Sequence, residues 1–357
     1  MYCYVHIPFC ETKCKYCRFA SFSNIQKIEV EKYVHFLCNS ITSYTGKKRP
    51  LKTLYFWGGT PSTLSSRQLE SILKSLKTTF DFSENIEISF EATPQSLTVK
   101  NIDTWYSLWI NRISSGIQSL NDATLKEIGR TSKEEIFLWL KNLQSSQIQN
   151  ISVDFIIWLP YVQAWETTED IQEVLDTFPK IQHVSVYMLE EYYYPENWEH
   201  VSLDDEMYLQ EYTQAKALLE SRGYKRYELS NFAKKWYECQ HNQAYWKHKT
   251  MVAFGLDAHG YVDGVRYAHE NTFKKYYSGK LSYSEKLTDD QKKIEKLMFW
   301  LRTSGITKEI VEYLDKEKLE YFIQLWLLKN TKKGIIYQDS ATLVLDYILR
   351  ELLPWNK

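Results

Sequence analysis

Glycine is scarce in this chain: 12 residues in 357, roughly half the ~7% share of an ordinary domain. Few positions can therefore turn left-handed without steric cost. No run of 18 or more apolar residues exists, which leaves no candidate for a membrane-spanning helix. Net charge is only −1, so no global electrostatic attraction to nucleic acid is expected. No charged segment followed by an apolar stretch opens the chain. A signal peptide is not expected, and the expected compartment is the cytoplasm. Internal repeats and low-complexity linkers are absent as well. The six cysteines do not form a disulfide-type framework: three cluster and three stand alone, as in a reducing compartment.

The clustered three carry the first positive signal. Cys10, Cys14 and Cys17 follow the spacing C-x3-C-x2-C, just past an apolar, strand-like run at residues 2–7. Thiolates are soft ligands suited to zinc, copper(I) and iron–sulfur clusters. A structural zinc site wants four protein ligands, and the next cysteines, Cys38 and Cys239, are distant. Three thiolates on a four-iron cluster leave one iron open to a small molecule. On spacing alone a zinc clip remains the alternative. The position just past a strand is where α/β folds and barrels place ligands.

The length suits one large domain plus one or two smaller ones. Strand-like runs at 2–7, 51–57, 86–90, 112–117, 151–158 and 183–189 alternate with helix-like runs at 29–44, 66–76, 101–108, 121–128, 133–143 and 168–175. Such alternation predicts parallel strands with helical crossovers. Six units are too few for an eight-unit barrel. An open (β/α)6 barrel and a flat doubly wound sheet both fit the count. Three segments are expected: 1–200 as the α/β body, 201–285 as an accessory α/β segment, and 286–357 as a small helical domain. The middle segment reads as a helix at 204–221, a short strand at 224–229, and then a loop. The last reads as helices at 288–301, 316–329 and 341–352, with a strand at 334–337.

Other residues stand where chemistry is plausible. Gly58, Gly59 and Thr60 end the second strand, where glycine lets backbone approach a ligand closely. Glu91 ends the third strand and Gln118 the fourth. Arg130 follows Ile128-Gly129. Gln offers both donor and acceptor, Arg a fork for carboxylates, and Asp an acceptor for hydroxyls. Asp154 lies inside an apolar run, where a carboxylate needs a reason.

The cysteine motif after a first strand, within Tyr4-Val-His-Ile-Pro-Phe-Cys10, resembles the radical S-adenosylmethionine (SAM) superfamily. More narrowly it resembles the oxygen-independent coproporphyrinogen III oxidase family and its heme-chaperone branch. Ordered matches extend to about Leu353. The resemblance implies an open (β/α)6 radical SAM barrel with a mostly helical, winged-helix-like C-terminal domain. It implies a [4Fe–4S] cluster on Cys10, Cys14 and Cys17, with SAM chelated to the open iron and cleaved on reduction to a 5′-deoxyadenosyl radical. It places Tyr4, Tyr16, Gly58, Gly59, Thr60, Glu91, Gln118, Arg130 and Asp154 beside SAM.

Two features separate the branches. The oxidases resemble C-x3-C-x2-C-x-C, whereas Phe19 holds the fourth position here. They also carry an extension before the first strand, and only three residues precede Tyr4 here. His241-Asn242-Gln243-Ala244-Tyr245-Trp246 matches an HNxxYW motif of the chaperone branch. That match implies heme bound through His241, with His259 the second choice, for delivery to client hemoproteins. No nucleic-acid partner and no membrane span is expected, only peripheral contact with membrane-bound clients. The decarboxylating oxidase remains the alternative. Finally, Trp57, Trp109, Trp158, Trp300 and, less securely, Trp236 and Trp326 stand where the family pattern has glycine. One cause would account for all six: a UGA codon meaning glycine in the source organism and read here as tryptophan.

Overall fold

Six parallel strands follow one another across the molecule in chain order. The structure, a computed structural model, describes residues 1–189, 198, 205–303, 305–332 and 334–353. The strands are β1 (Tyr2–Ile7), β2 (Leu51–Gly58), β3 (Phe82–Ala92), β4 (Arg112–Gln118), β5 (Asn150–Ile157) and β6 (His183–Met188). Each pairs in parallel with the next. Between them run α1 (Lys27–Thr42), α2 (Ser66–Thr79), α3 (Val99–Ser107), α4 (Asp122–Ile128), α5 (Lys133–Ser145) and α6 (Glu166–Thr177). The strands read as nearly continuous apolar runs because both faces are covered: Val5, Phe56, Ile88, Phe90, Val153 and Phe155 are all fully buried.

The strand order decides between the two expected architectures. A doubly wound sheet reverses its order at a switch point. Here the order runs β1 to β6 without reversal, the order of an open (β/α)6 barrel. All six C-terminal strand ends then face the same way, and the loops that follow them converge.

Residues 201–285 extend both edges of this sheet. Beside β6 lie β7 (Lys225–Arg226) and β8 (Asn231–Ala233), after α7 (Asp205–Ser221). Beside β1 lies β9 (Met251–Phe254), in parallel, and beyond it the antiparallel β10 (His259–Val262), β11 (Val265–His269) and β12 (Leu281–Lys286). The expected strand at 224–229 shrinks to two residues, and the expected loop after it contains strands. β12 has no buried residue and β11 has one, so neither shows an apolar alternation, while β8 and β9 are fully buried but only three and four residues long, too short to read as strands. The HNxxYW motif lies on a short helix, α8 (Gln240–Trp246), followed by α9 (Phe273–Tyr276).

The C-terminal part has its own core of Leu297, Leu301, Phe322, Ile348 and Leu352. Helices α10 (Asp289–Leu301), α11 (Lys308–Val311), α12 (Lys316–Gln324) and α13 (Leu345–Leu352) surround a small antiparallel sheet of β13 (Ile306–Thr307), β15 (Gly334–Tyr337) and β14 (Leu328–Thr331). This is the winged-helix-like arrangement. The expected helix at 316–329 stops at Gln324, because the backbone turns left-handed at Trp326 (φ 58°) and continues as β14. Asp339 ties this part to the body, accepting from Lys216 of α7 at 2.5 Å and from Arg226 of β7 at 2.9 Å.

Candidate cofactor site

At the converging C-terminal ends of the strands lies a cavity of about 310 Å³. The loop after β1 brings Cys10, Cys14 and Cys17 to its wall. Two backbone bonds pin that loop: Phe22 N–H donates to Pro8 O at 2.8 Å and Cys10 N–H to Phe22 O at 3.0 Å. Lys13 reaches across to Ser21 O at 3.1 Å. From the end of β2, the Thr60 hydroxyl donates to Cys10 Sγ at 3.4 Å.

Gly58 and Gly59 also line the cavity, but their need for glycine comes from the other side. A Cβ on Gly58 would lie 2.5 Å from the His6 ring, and one on Gly59 would lie 2.7 Å from Phe9 O. Close contact with β1 and its loop therefore requires both glycines, whatever ligand approaches them. Gly58 further holds φ at 114°, which side-chain-bearing residues rarely adopt.

The opposite wall carries the polar groups. Glu91 (β3), Gln118 (β4), Asp154 (β5), Arg130 and Tyr16 all reach the cavity. Arg130 donates to Tyr16 Oη at 3.1 Å. Gln118 sits at φ 74° where the β4–β5 register shifts, and its buried Oε1 has no partner. The Arg130 Nε is likewise buried and unpaired. Buried groups of this kind are normally satisfied, so both are free to receive a polar ligand. The Asp154 carboxyl accepts from Ser114 at 3.4 Å and is pushed up chiefly by burial.

Glu91 accepts from Tyr55 Oη at 2.5 Å. Burial, and then the Asp154 charge, push its carboxyl up to about 8. Between about pH 4.3, where an unperturbed Glu titrates, and pH 8, the folded chain keeps a proton that the unfolded chain has released. Glu91 therefore contributes stability that falls as pH rises from 5 to 8, by up to about 1.4 kcal/mol per pH unit. The slope of urea midpoints against pH across that range should be more positive in Glu91→Gln than in the wild type. Equal slopes would refute the assignment.

Of the sequence-predicted residues, Cys10, Cys14, Cys17, Tyr16, Gly58, Gly59, Thr60, Glu91, Gln118, Arg130 and Asp154 meet at this cavity. Tyr4 stands one layer behind. Its hydroxyl bonds His6 Nδ1 at 2.9 Å, and His6 Nε2 bonds Ala20 O at 2.8 Å, so Tyr4 braces the cysteine loop. His241 is buried, with Nδ1 2.8 Å from the Thr53 hydroxyl and its ring 5.1 Å from that of Tyr55. Burial, with the Arg112 charge second, pushes the imidazole down to about 3 and keeps it neutral. Its neighbour Asn242 lines the cavity. His259 is exposed at the start of β10, beside Tyr283.

Sequence reading missed Tyr55, Arg112, His183 and Tyr187, which also line the cavity. All four lie in strands, where an aromatic or a strand-starting charge passes for ordinary core. Two of them carry a signal in register: Arg112 and His183 each open a strand of the barrel. Arg112 is buried close to Glu87, also buried, whose carboxylate accepts from the N–H groups of Gln240 and His241, both at 3.2 Å. That carboxylate caps α8 and holds the HNxxYW helix against the sheet.

Three thiols on one loop at the cavity wall are the donor set of an iron–sulfur cluster. A cluster spreads its ligands over several irons, which suits three thiols around one cavity. Cys10, Cys14 and Cys17 would hold it. Gln118, Arg130, Glu91 and Asp154 offer the donors and acceptors that an amino-acid-bearing nucleoside requires. A [4Fe–4S] cluster with SAM supplies one-electron chemistry; the protein's part is to hold, orient and desolvate.

An open (β/α)6 barrel with three loop cysteines and a polar cavity at its strand ends defines a radical SAM protein. The radical SAM superfamily profile matches residues 4–178. The heme chaperone HemW of Lactococcus lactis is 31% identical over 351 residues, covering 94% of this chain and 90% of that one. HemW of Bacillus subtilis is 28% identical, covering 96% and 94%. The solved coproporphyrinogen III oxidase HemN of Escherichia coli shares the fold, with a TM-score of 0.82 over 98% of this chain and 88% of that one, at 20% identity. The chain belongs to the HemW family of the radical SAM superfamily.

Proposed function

We propose that this protein is a cytoplasmic heme chaperone that binds a [4Fe–4S] cluster, SAM and heme, and passes heme to client hemoproteins. The observation that carries this reading is similarity to HemW chains along nearly the whole length. The cavity supports it from a second direction. Phe19 takes the position of the oxidases' fourth cysteine and lines the cavity with its ring 4.8 Å from that of Trp57, so no further thiol is offered there. Among the described residues, no helix is long and apolar enough to cross a membrane.

His241 is the proposed heme ligand. Its neutral imidazole keeps a lone pair for iron at any ordinary pH. Reaching heme requires α8 to shift from the sheet, because the ring is buried between Thr53 and Tyr55.

Anaerobically reconstituted protein tests the function directly. Hemin titration is expected to give a saturable Soret band, weakened at least tenfold in affinity in His241→Ala, while coproporphyrinogen is not converted. Conversion at an enzymatic rate would replace this reading with the oxidase. Equal binding by wild type and His241→Ala would move the ligand elsewhere, with His259 next.

A further inference from the structure

Five of the 12 tryptophans hold a backbone conformation that suits glycine. Trp109 (φ 74°), Trp158 (72°), Trp165 (72°), Trp236 (78°) and Trp326 (58°) all lie in the left-handed region. Only a few per cent of non-glycine residues do so, and a bulky one is an outlier. The cost is about 1–2 kcal/mol per residue. The other non-glycine residues so placed, among those described, are Asn24, His248, Asp257 and Asp263, types that tolerate the region, plus Gln118 and Tyr161. The chain has 16 phenylalanines and 27 tyrosines, and among the described residues Tyr161 alone joins the set. Aromatic bulk in general therefore does not explain the pattern. It belongs to tryptophan.

Local hydrogen bonding shows what these positions are. After α3, Trp109 N–H donates to Tyr106 O at 2.9 Å and Ile110 N–H to Trp105 O at 3.0 Å. After α12, Trp326 N–H donates to Ile323 O at 3.0 Å and Leu327 N–H to Phe322 O at 3.0 Å. Both pairs form the Schellman motif, whose left-handed residue is usually glycine. The same chain supplies the comparison. After α4, Gly129 N–H donates to Lys126 O and Arg130 N–H to Leu125 O; after α7, Gly223 N–H donates to Glu220 O and Tyr224 N–H to Leu219 O. Two helices thus end on glycine, two on tryptophan and α8 on His248, a type that tolerates the region, in one geometry.

Two more of the five occupy the third position of a four-residue turn. Tyr237 N–H donates to Lys234 O at 3.0 Å around Trp236, and Glu166 N–H to Gln163 O at 3.2 Å around Trp165. A type II turn demands positive φ at that position, hence glycine. Nor do three of the indoles compensate by burial: Trp236 is 80% exposed, Trp326 76% and Trp109 58%, whereas Trp158 and Trp165 are half-buried.

We infer that the native chain carries glycine at positions 109, 158, 165, 236 and 326, and that the source organism decodes UGA as glycine. One reassigned codon exchanges two residues of unrelated size and chemistry at scattered positions and leaves the rest of the chain intact. It also accounts for the shortage of glycine. Positions 57 and 300 lie in β2 and α10 with ordinary backbone, so conformation does not decide them; the codon does. Position 165 emerges from the backbone alone. Trp105 is helical, buried and packed 5.0 Å from Phe90, and stays tryptophan.

Three readouts test this. The coding DNA is expected to show UGA at all five positions and UGG at Trp105. Peptides from the native source are expected to carry the mass of glycine there. In recombinant protein, Trp109→Gly, Trp236→Gly and Trp326→Gly are each expected to raise the thermal midpoint by about 2 °C, whereas Trp105→Gly lowers it. UGG codons at the five positions, tryptophan in the native peptides, or a lower midpoint in all three exposed variants would overturn the inference.

Discussion

Cys14→Ser is expected to abolish cluster assembly. After anaerobic reconstitution, the variant should lack the visible absorption, iron and sulfide of the wild type, as should Cys10→Ser and Cys17→Ser. Cys38→Ser should retain all three, because Cys38 packs on the body core from α1. So should Cys3→Ser and Cys239→Ser, whose thiols are buried away from the cavity and pushed up by burial. The physical argument is ligand count. Three thiols line one cavity, and losing one leaves two thiolates for a cluster that needs three protein ligands. A full cluster in Cys14→Ser, or its loss in Cys38→Ser, would sink the assignment. Thermal melts of the apo-proteins separate cluster loss from misfolding. The cysteine loop is pinned by backbone bonds and by Lys13, so the serine variants should melt within about 2 °C of the wild type.

The second large effect is on stability. Arg112→Met is expected to cost about 1–3 kcal/mol, because the buried Glu87 carboxyl loses a nearby positive charge that favours its ionised form. Arg112 is 2% exposed and Glu87 5% exposed. Burial raises the Glu87 carboxyl, while Arg112 and the N–H groups of Gln240 and His241 oppose that rise. Without Arg112 the carboxylate loses its counter-charge, and with it the firm cap on α8. Glu87→Gln combined with Arg112→Met should recover part of the loss, because a neutral amide needs no counter-charge. Urea denaturation of the two single variants and the double variant measures this. A single-variant loss below about 1 kcal/mol, or losses that simply add, would show that the two groups act independently. The proposed heme ligand sits on the same helix, so Arg112→Met should also loosen hemin binding.

Much of the site was legible before any coordinates. Local spacing specifies Cys10, Cys14 and Cys17. Glu91, Gln118 and Asp154 stand out as polar groups at or inside apolar strands, and the strand-helix alternation places them at one end of a parallel sheet. Tyr55, Arg112, His183 and Tyr187 were not legible, since a single strand does not reveal which neighbours its side chains meet. That Tyr4 meets the cysteine loop through His6 was not legible for the same reason. The edge strands β10 to β12 went unread because exposed strands lack the alternation that burial imposes.

The sequence by itself determined the cluster motif, the six β/α units and the family, all of which rest on short-range order along the chain. Only the tertiary structure decided that the strands run in unbroken order as an open barrel, because strand pairing is a long-range choice. The same holds for the burial of His241 behind Tyr55, and for Gly58 and Gly59 owing their identity to β1. It holds most of all for the tryptophans. Composition raised the question, but φ is a property of a folded backbone, and the fold placed five of them where a side chain strains and glycine does not.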